Sequence, residues 1–253
     1  MKFSVNKVSI ITVCYNSAAT LEKTILSVAG QSYKNIEYIL VDGNSNDGTL
    51  DIIKKQERKI SKWISEPDSG LYDAMNKGIL MATGDLIGIL NSDDTFNSDK
   101  VIEEVASFHG KNSIDASIGN IIQHKKSGRV VRVYSSKNWT PERLKSGFMP
   151  PHPSIFFRRE LFDNYGNYSL GFKIGADYEL ITRFFLRNNI TWGYNDVVTT
   201  SMLVGGLSSS GLSSYRLITS EICKALTMND IKFSPFRIKM RIFWKIFEIL
   251  HRN

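Results

Sequence analysis

A mainly parallel α/β sheet covered by helices is the fold this chain predicts, and three observations predict it. Short apolar runs alternate with helical patterns from residue 8 to residue 108. The runs are apolar at successive positions, Leu86-Ile87-Gly88-Ile89-Leu90 most plainly, so the strands are buried on both faces, as in a parallel sheet between helices. Each run stops abruptly at polar or acidic residues. In such a sheet these stops share one edge, where ligands bind beyond the strands' carboxyl ends.

Val8 to Val13 is rich in β-branched residues and ends at Tyr15-Asn16-Ser17; Leu21, Ile25 and Val28 then recur on one helical face, closed by Gly30. Ile36 to Val41 is a second strand, stopped by Asp42-Gly43-Asn44-Ser45-Asn46-Asp47-Gly48, with a helix from Leu50 and Ile53. Trp63-Ile64-Ser65 is a short strand ending at Glu66-Pro67-Asp68, and Leu71, Ala74, Met75, Gly78 and Ile79 mark the next helix. The fourth strand runs into Asn91-Ser92-Asp93-Asp94, after which Ser98 starts a helix with Val101, Val105 and Phe108 inward. Ala116 to Ile122 and Val130 to Tyr134 read as a hairpin through Lys125-Lys126-Ser127-Gly128, most simply a solvated basic turn. Three prolines and His152 precede an apolar strand ending at Phe157. Gly175-Ala176-Asp177 opens a helix carrying Ile181, Phe184 and Phe185. Asp196 to Met202 is a last strand, and Gly205 to Gly211 is a flexible polar loop. Ser214 to Met228 is helical.

From Ser234 a helix would align Phe236, Met240, Phe243, Phe247 and Leu250 as one stripe, with Arg237, Arg241, Lys245 and Arg252 opposite. Two readings stay open: a basic amphipathic helix on an anionic membrane, or a helix packed on the domain. Net charge is +7, and residues 232 to 253 carry six Lys or Arg against Glu248, leaving +2 for the rest. Basicity is therefore local, which argues against a nucleic-acid partner. Cys14 and Cys223 are too few and too far apart for a disulfide framework or a zinc site, which fits a reducing compartment. With no apolar leader in Met1 to Lys7 and no run of about 18 apolar residues, the expectation is a cytoplasmic protein, peripheral on the inner face of the cytoplasmic membrane if the tail binds there.

Asn16, Asp42, Glu66 with Asp68, and Asn91 with Asp93 and Asp94 all fall at strand ends. Carboxylates gathered in one crevice repel unless a cation lies among them, and all-oxygen ligands suit Mg²⁺ or Mn²⁺. Mg²⁺ completes its shell with substrate phosphates, which points to a nucleotide-bearing substrate. Neither a G-x-x-x-x-G-K-[ST] loop nor a G-x-G-x-x-G turn follows the first strand, which disfavours P-loop kinases and dinucleotide oxidoreductases.

Five segments in order, Ile11-Thr12-Val13-Cys14-Tyr15-Asn16, Val41 to Thr49, Ser65 to Gly78, Ala82-Thr83-Gly84-Asp85 and Leu90-Asn91-Ser92-Asp93-Asp94, resemble the motifs of family 2 inverting glycosyltransferases with the GT-A fold. The likeness runs from about residue 8 to about residue 210, nearest to bacterial enzymes of O-antigen, capsule and exopolysaccharide assembly. It implies a GT-A domain over 1–210 and a helical appendage over 211–253. It implies a nucleotide-sugar donor, a UDP-sugar first of all, bound by Thr12, Tyr15, Asn16, Asp42, Asp68, Asn91 and Ser92, and a metal, Mn²⁺ or Mg²⁺, on Asp93. Asn91 stands where the family's D-x-D has its first acid; an amide accepts hydrogen bonds but adds no charge. His152, Lys77 and Asp94 are further candidates for substrate contact, His152 shared evenly with loop packing. Asp177 matches the aspartate of the family's Glu-Asp pair, with Ala176 in place of the Glu, and is the implied general base; the alternative is a helix cap. The implied acceptor is a saccharide or lipid-linked saccharide. The rivals are a sugar nucleotidyltransferase on a similar sheet and an inactive transferase-like binding module.

Overall fold

The computed structural model describes residues 5–125, 127–203 and 211–241. It divides into two compact units, each assembled from separated stretches of chain. The first takes the described residues of Met1–Asn138, Pro150–Tyr168 and Thr191–Val204; the second takes Trp139–Met149, Ser169–Ile190 and the described residues after 210.

The first unit is a sheet wrapped by helices. Its strands are β1 Val8–Cys14, β2 Ile36–Asp42, β3 Lys62–Ser65, β4 Leu86–Ile89, β5 Thr95–Phe96, β6 Ala116–His124, β7 Val130–Tyr134, β8 Ile155–Arg158 and β9 Trp192–Leu203. They lie in the order β3-β2-β1-β4-β8-β6-β9-β5, with β7 paired to the stretch of β6 beyond its pairing with β8. The half from β3 to β4 is parallel, as the repeated strand–helix pattern requires. Beyond it β8 runs antiparallel to both β4 and β6, β9 is parallel to β6, and β5 is antiparallel to β9, so this half is mixed. No helical segment separates β6 from β7, and a hairpin allows only antiparallel pairing there.

Helices α1 Leu21–Ala29, α2 Thr49–Lys55, α3 Leu71–Met81 and α4 Val101–Asn112 follow the first strands, and α5 Glu160–Tyr165 follows β8. On α1 the residues at helical spacing, Leu21, Thr24, Ile25 and Val28, are buried. On α4 the buried face is Val101, Ile102, Val105, Ala106 and His109, so Phe108 is only half-buried and the inward stripe is rotated by one residue from the expected one. Gly78 lets α3 approach β1, because a Cβ there would lie 2.4 Å from Ile11 Cγ2. Ile10, Ile11, Ile39, Leu40 and Leu86 are fully buried, each contributing about 1.5–3 kcal/mol over an exposed position.

The second unit is helical, with α6 Ala176–Thr182 continuing into a π turn at Arg183–Arg187, and α7 Gly211–Met228. Trp139 meets Phe185 edge-on at 5.3 Å, and Leu180, Ile181, Phe184, Ile222, Ala225 and Leu226 are buried. Residues 235–241 are helical. Their inward face is Ile238 and Arg241, while Phe236 is 70% exposed. The guanidinium of Arg241 donates to Gly147 O at 2.9 Å and lies over Tyr215, so Arg241 is not on the solvent side where helical spacing put it. The loop at 205–210 and the tail from 242 lie outside the described residues.

Candidate active site

Parallel register brings the ends of β1, β2 and β3 level: Cys14 pairs with Asp42, and Asp42 with Ser65. Asp42 is fully buried, and its carboxylate accepts from Ser45 N at 3.0 Å, Ser45 Oγ at 2.5 Å and Ser65 Oγ at 2.7 Å, with Cys14 Sγ 3.5 Å away. Thr12, also fully buried, accepts from Tyr38 Oη at 3.1 Å. These two expected nucleotide residues thus form the floor beneath the loops. Burial, and next the Asp42 charge, push the Cys14 thiol up, which keeps it protonated and inert as a nucleophile.

Above that floor the loop after β1 is stitched to the loop after β2. Asn16 N donates to Ser45 Oγ, Asn46 N to Asn16 Oδ1, Ser17 N to Thr49 Oγ1 and Ala18 N to Asp47 Oδ2, all within 3.1 Å. Asn16 accepts a left-handed φ of +50° in making this turn. Tyr15 stands out from it, 63% exposed. Gly43 sits between Tyr15 and Asp68: a Cβ at position 43 would lie 2.5 Å from Asp68 Oδ2 and 3.4 Å from the Tyr15 ring. Asp68 Oδ1 accepts from Gly70 N at 2.8 Å, which fixes the carboxylate over the glycine.

The Asn91–Asp94 turn is joined to the same edge. Ser92 Oγ is 2.9 Å from Ser17 Oγ, and buried Thr24 of α1 donates to Ser92 O at 3.0 Å and Asp94 O at 2.8 Å. The two neighbouring acids are sorted by this packing. Asp93 is exposed, whereas Asp94 is buried and accepts from Asn91 Nδ2 at 3.3 Å. Burial first, then the Asp93 charge, push Asp94 up to about 7, with the Asn91 amide acting against them. Asn91 Oδ1 is buried without a hydrogen-bond partner. Among the described residues no three His, Cys, Asp or Glu side chains cluster as a complete metal cage. The exposed Asp93 carboxylate, in the same turn as the unmatched amide oxygen of Asn91, nonetheless fits Mg²⁺ or Mn²⁺, which bind through one or two protein ligands and take the remainder from water and phosphate.

His152 comes to this edge by register. Phe156 of β8 faces Gly88 of β4, so the residues before Ile155 extend past the end of β4. His152 Nε2 is 2.9 Å from Tyr168 Oη, and burial lowers its pKa to about 4, leaving the ring neutral near pH 7. Tyr168 stacks on Tyr72 at 5.7 Å, and its backbone N–H and C=O are both held by the Asn76 side chain at 2.8 Å. The Lys77 ammonium binds Glu66 at 2.8 Å and donates to Pro67 O at 2.8 Å, bracing the β3–α3 loop. Tyr168, Tyr72, Ser45, Ser65 and Thr24 escaped sequence reasoning. Only Ser45 carried a signal, as the third residue after an acid in a turn.

In the second unit Asp177 lies in the first turn of α6, behind Gly175 at the cap position, and its Oδ1 accepts from Tyr178 N at 2.8 Å. The approach to it is held by Glu221 of α7, whose carboxylate accepts from Lys173 N, Ile174 N and Gly175 N at 2.7–3.0 Å. Glu221, 46 to 48 positions away in sequence from the residues it holds, had no local signal either.

Residues 9–173 match the family described as Glycosyl transferase family 2. An uncharacterized glycosyltransferase of Mycobacterium tuberculosis is 33% identical over 215 residues, 83% of this chain and 78% of its own. A PGL/p-HBAD biosynthesis glycosyltransferase of Mycobacterium bovis is 31% identical over 226 residues, 87% of this chain and 84% of its own. The fold is shared with S. aureus TarS 1–349 in complex with UDP-GlcNAc, at TM-score 0.71 and 20% identity over 89% of this chain and 68% of that one. It is also shared with the mannosyltransferase PcManGT from Pyrobaculum calidifontis in complex with GDP-Man and Mn²⁺, at TM-score 0.65 and 18% identity over 93% of this chain and 68% of that one. With the strand-end loops, the sorted acids and these likenesses in agreement, the chain belongs to glycosyl transferase family 2, as a GT-A-like glycosyltransferase.

Proposed function

We propose that this glycosyltransferase moves a sugar from a nucleoside diphosphate, UDP in the first place, to a saccharide or lipid-linked saccharide of the bacterial surface, with inversion at the anomeric carbon. The observation that carries the reading is the joining of three strand-end loops at one edge, with Tyr15 and Asp68 around Gly43 and Asp93 exposed beside them. Tyr15, Asn16 and Asp68 would hold the nucleotide over the floor made by Thr12 and Asp42. Asp93, with Asn91 Oδ1, would hold the metal, which when bound offsets the negative charge gathering on the departing diphosphate. His152, neutral and oriented by Tyr168, would offer a hydrogen bond to substrate.

In the transfer an acceptor hydroxyl oxygen bonds to the anomeric carbon from the face opposite the leaving group. The carbon–oxygen bond to the diphosphate breaks, and its electron pair leaves with the nucleotide. The hydroxyl proton passes to Asp177, whose role rests on the likeness of Gly175-Ala176-Asp177 to the family's acidic pair. No covalent enzyme intermediate is needed, consistent with the protonated state of Cys14. The PGL/p-HBAD relative supports a surface glycolipid or polysaccharide as the acceptor class. Membrane contact through 234–253 is supported by the 70% exposure of Phe236, with Lys232, Arg237 and Lys239 exposed around it. No helix among the described residues is long and apolar enough to cross a membrane.

Donor turnover by the purified protein with Mn²⁺ tests the assignment. Asp93→Ala and Asp177→Asn should each lower kcat about a hundredfold or more, the usual size of a lost general-base or charge-stabilising contribution. Turnover of both variants at the wild-type rate would remove both roles. UDP-sugars should raise Tm more than GDP-sugars, because a ligand of the native state stabilises it.

A further inference from the structure

We propose that the β6–β7 hairpin is a second docking element for an anionic lipid bilayer, placed beside the donor site. From Ala116 to Pro141 the sequence contains no acid, while Lys125, Lys126, Arg129, Arg132 and Lys137 supply five cations. The Asp196 carboxyl is held below its usual range first by the Tyr194 hydroxyl, then by the Asn120 amide and the Lys137 charge, so with Lys137 set aside four cations remain for the hairpin itself. The turn closes through Gly128 N to Lys125 O at 2.8 Å, with Gly128 at φ +80°. Lys125 and Arg129 are exposed at its tip.

The same hairpin exposes aliphatic surface. Ile122 pairs with Val133 and His124 with Val130, and cross-strand partners share a face, as do Ile122 and His124 two residues apart. Val130 and Val133 are therefore on one face, and Val131 is the extra residue of the bulge between them. They are 50%, 56% and 52% exposed respectively. Lysine alone protects a free edge strand, so edge protection does not account for the valines. Aliphatic side chains next to the exposed Lys125 and Arg129 are what the headgroup–acyl boundary of an anionic membrane accommodates, whereas a soluble polyanion has no use for the valines.

Register fixes where the hairpin stands. Ala116 faces Phe157, which faces Ile87, and β6 points the same way as β4. Gly119 to His124 therefore run past the level of Ile89 on the Asn91–Asp94 edge, reaching about 20 Å beyond it at ~3.3 Å per residue. A bilayer bound there would lie at the edge where the donor is proposed to bind. The placement rests on the lipid-linked acceptor reading for its purpose, but its test does not depend on transfer.

Full-length protein is sedimented with vesicles of phosphatidylcholine alone and of phosphatidylcholine mixed with phosphatidylglycerol. Binding should require the anionic lipid and fall with salt. Lys125→Ser with Arg129→Ser should lower the partition coefficient roughly 25-fold, about fivefold per cation; Val130→Ser with Val133→Ser should also lower it. Phe236→Ser with Arg237→Ser serves as the parallel variant of the C-terminal segment. Ser127→Cys carrying an environment-sensitive dye, in a Cys223→Ser background, should shift its emission to the blue on anionic vesicles. Hairpin variants should keep wild-type donor hydrolysis, so loss of vesicle binding with hydrolysis intact separates this site from the catalytic reading. Wild-type partition of the Lys125/Arg129 variant overturns the proposal. So does a loss confined to the Phe236/Arg237 variant, or binding to heparin with no dye shift on vesicles.

Discussion

Gly43 stands in a place where the acidic pattern around it continues with Asn44, Ser45 and Asp47, and its missing side chain is filled by the Asp68 carboxylate. Gly43→Ala would bring a methyl to 2.5 Å from Asp68 Oδ2, and the end of that side chain must swing away. No positive φ is involved, so the cost falls on the pocket and not on the backbone. The expected outcome is a donor Kd raised about tenfold, ~1.4 kcal/mol, with Tm nearly unchanged; isothermal titration with UDP decides, and an unchanged Kd would take Asp68 out of the donor pocket. The acids themselves were legible because each ends an apolar run. Their sorting was not. Asp93 and Asp94 are adjacent in sequence, and only the packing of α1 against the turn leaves one exposed and makes the other a buried neighbour of Asn91. Lys77 is held by Glu66 and Pro67 O, contacts that no spacing rule reveals.

At the scale of elements, α1 and α7 each hold a loop through one polar side chain. Thr24 gives one hydroxyl to two carbonyls of the Asn91–Asp94 turn. Thr24→Val keeps the shape and removes the donor, leaving buried carbonyls unmatched at a cost of about 1–3 kcal/mol. Chemical denaturation should show that loss, and amide exchange should quicken at 91–94; a variant as stable as wild type would mean the turn holds itself. Glu221 of α7 does the same for 173–175, ahead of Asp177. Glu221→Gln turns an amide N–H₂ toward N–H donors, and a loss of about 2 kcal/mol is expected, read as a drop in Tm together with lower kcat. An activity loss without any drop in Tm would point to direct contact with substrate instead. The periodicity that located α1, α3 and α4 follows from burial, so it was legible. A single polar side chain reaching from one element to a loop leaves no periodic trace.

Across the whole molecule, the opposite edge of the sheet is tied by one charge. Glu37 accepts from Ser9 Oγ at 2.6 Å, Thr83 N at 2.7 Å, Thr83 Oγ1 at 2.8 Å and Lys62 Nζ at 2.9 Å, joining the starts of β1, β2 and β3 to the segment before β4. Desolvation is the largest single influence and would raise its pKa, but the hydrogen bonds from Ser9, Lys62 and Thr83 together outweigh it and hold the carboxyl at about 2. A carboxyl depressed in the folded state contributes stability in full above its unfolded value near 4.3, and that stability is lost as pH falls toward about 2. Roughly 3 kcal/mol is at stake. Denaturation midpoints should therefore fall between pH 4 and pH 2 in the wild type and change less in Glu37→Gln, which is also less stable at pH 7. Parallel pH curves for the two proteins would show that Glu37 is not the group responsible.

The sequence by itself determined the parallel half of the sheet, the edge at which its polar strand ends gather and the family, because burial on both faces and abrupt polar stops are one-dimensional patterns. Tertiary structure alone decided which acid faces solvent, what holds Asp68 and His152, and how the second unit gathers 139–149, 169–190 and the residues after 210. It also carried the basic hairpin past the level of the Asn91–Asp94 turn. These are contacts between residues distant in the chain, set by register and packing, and a linear pattern holds no record of either.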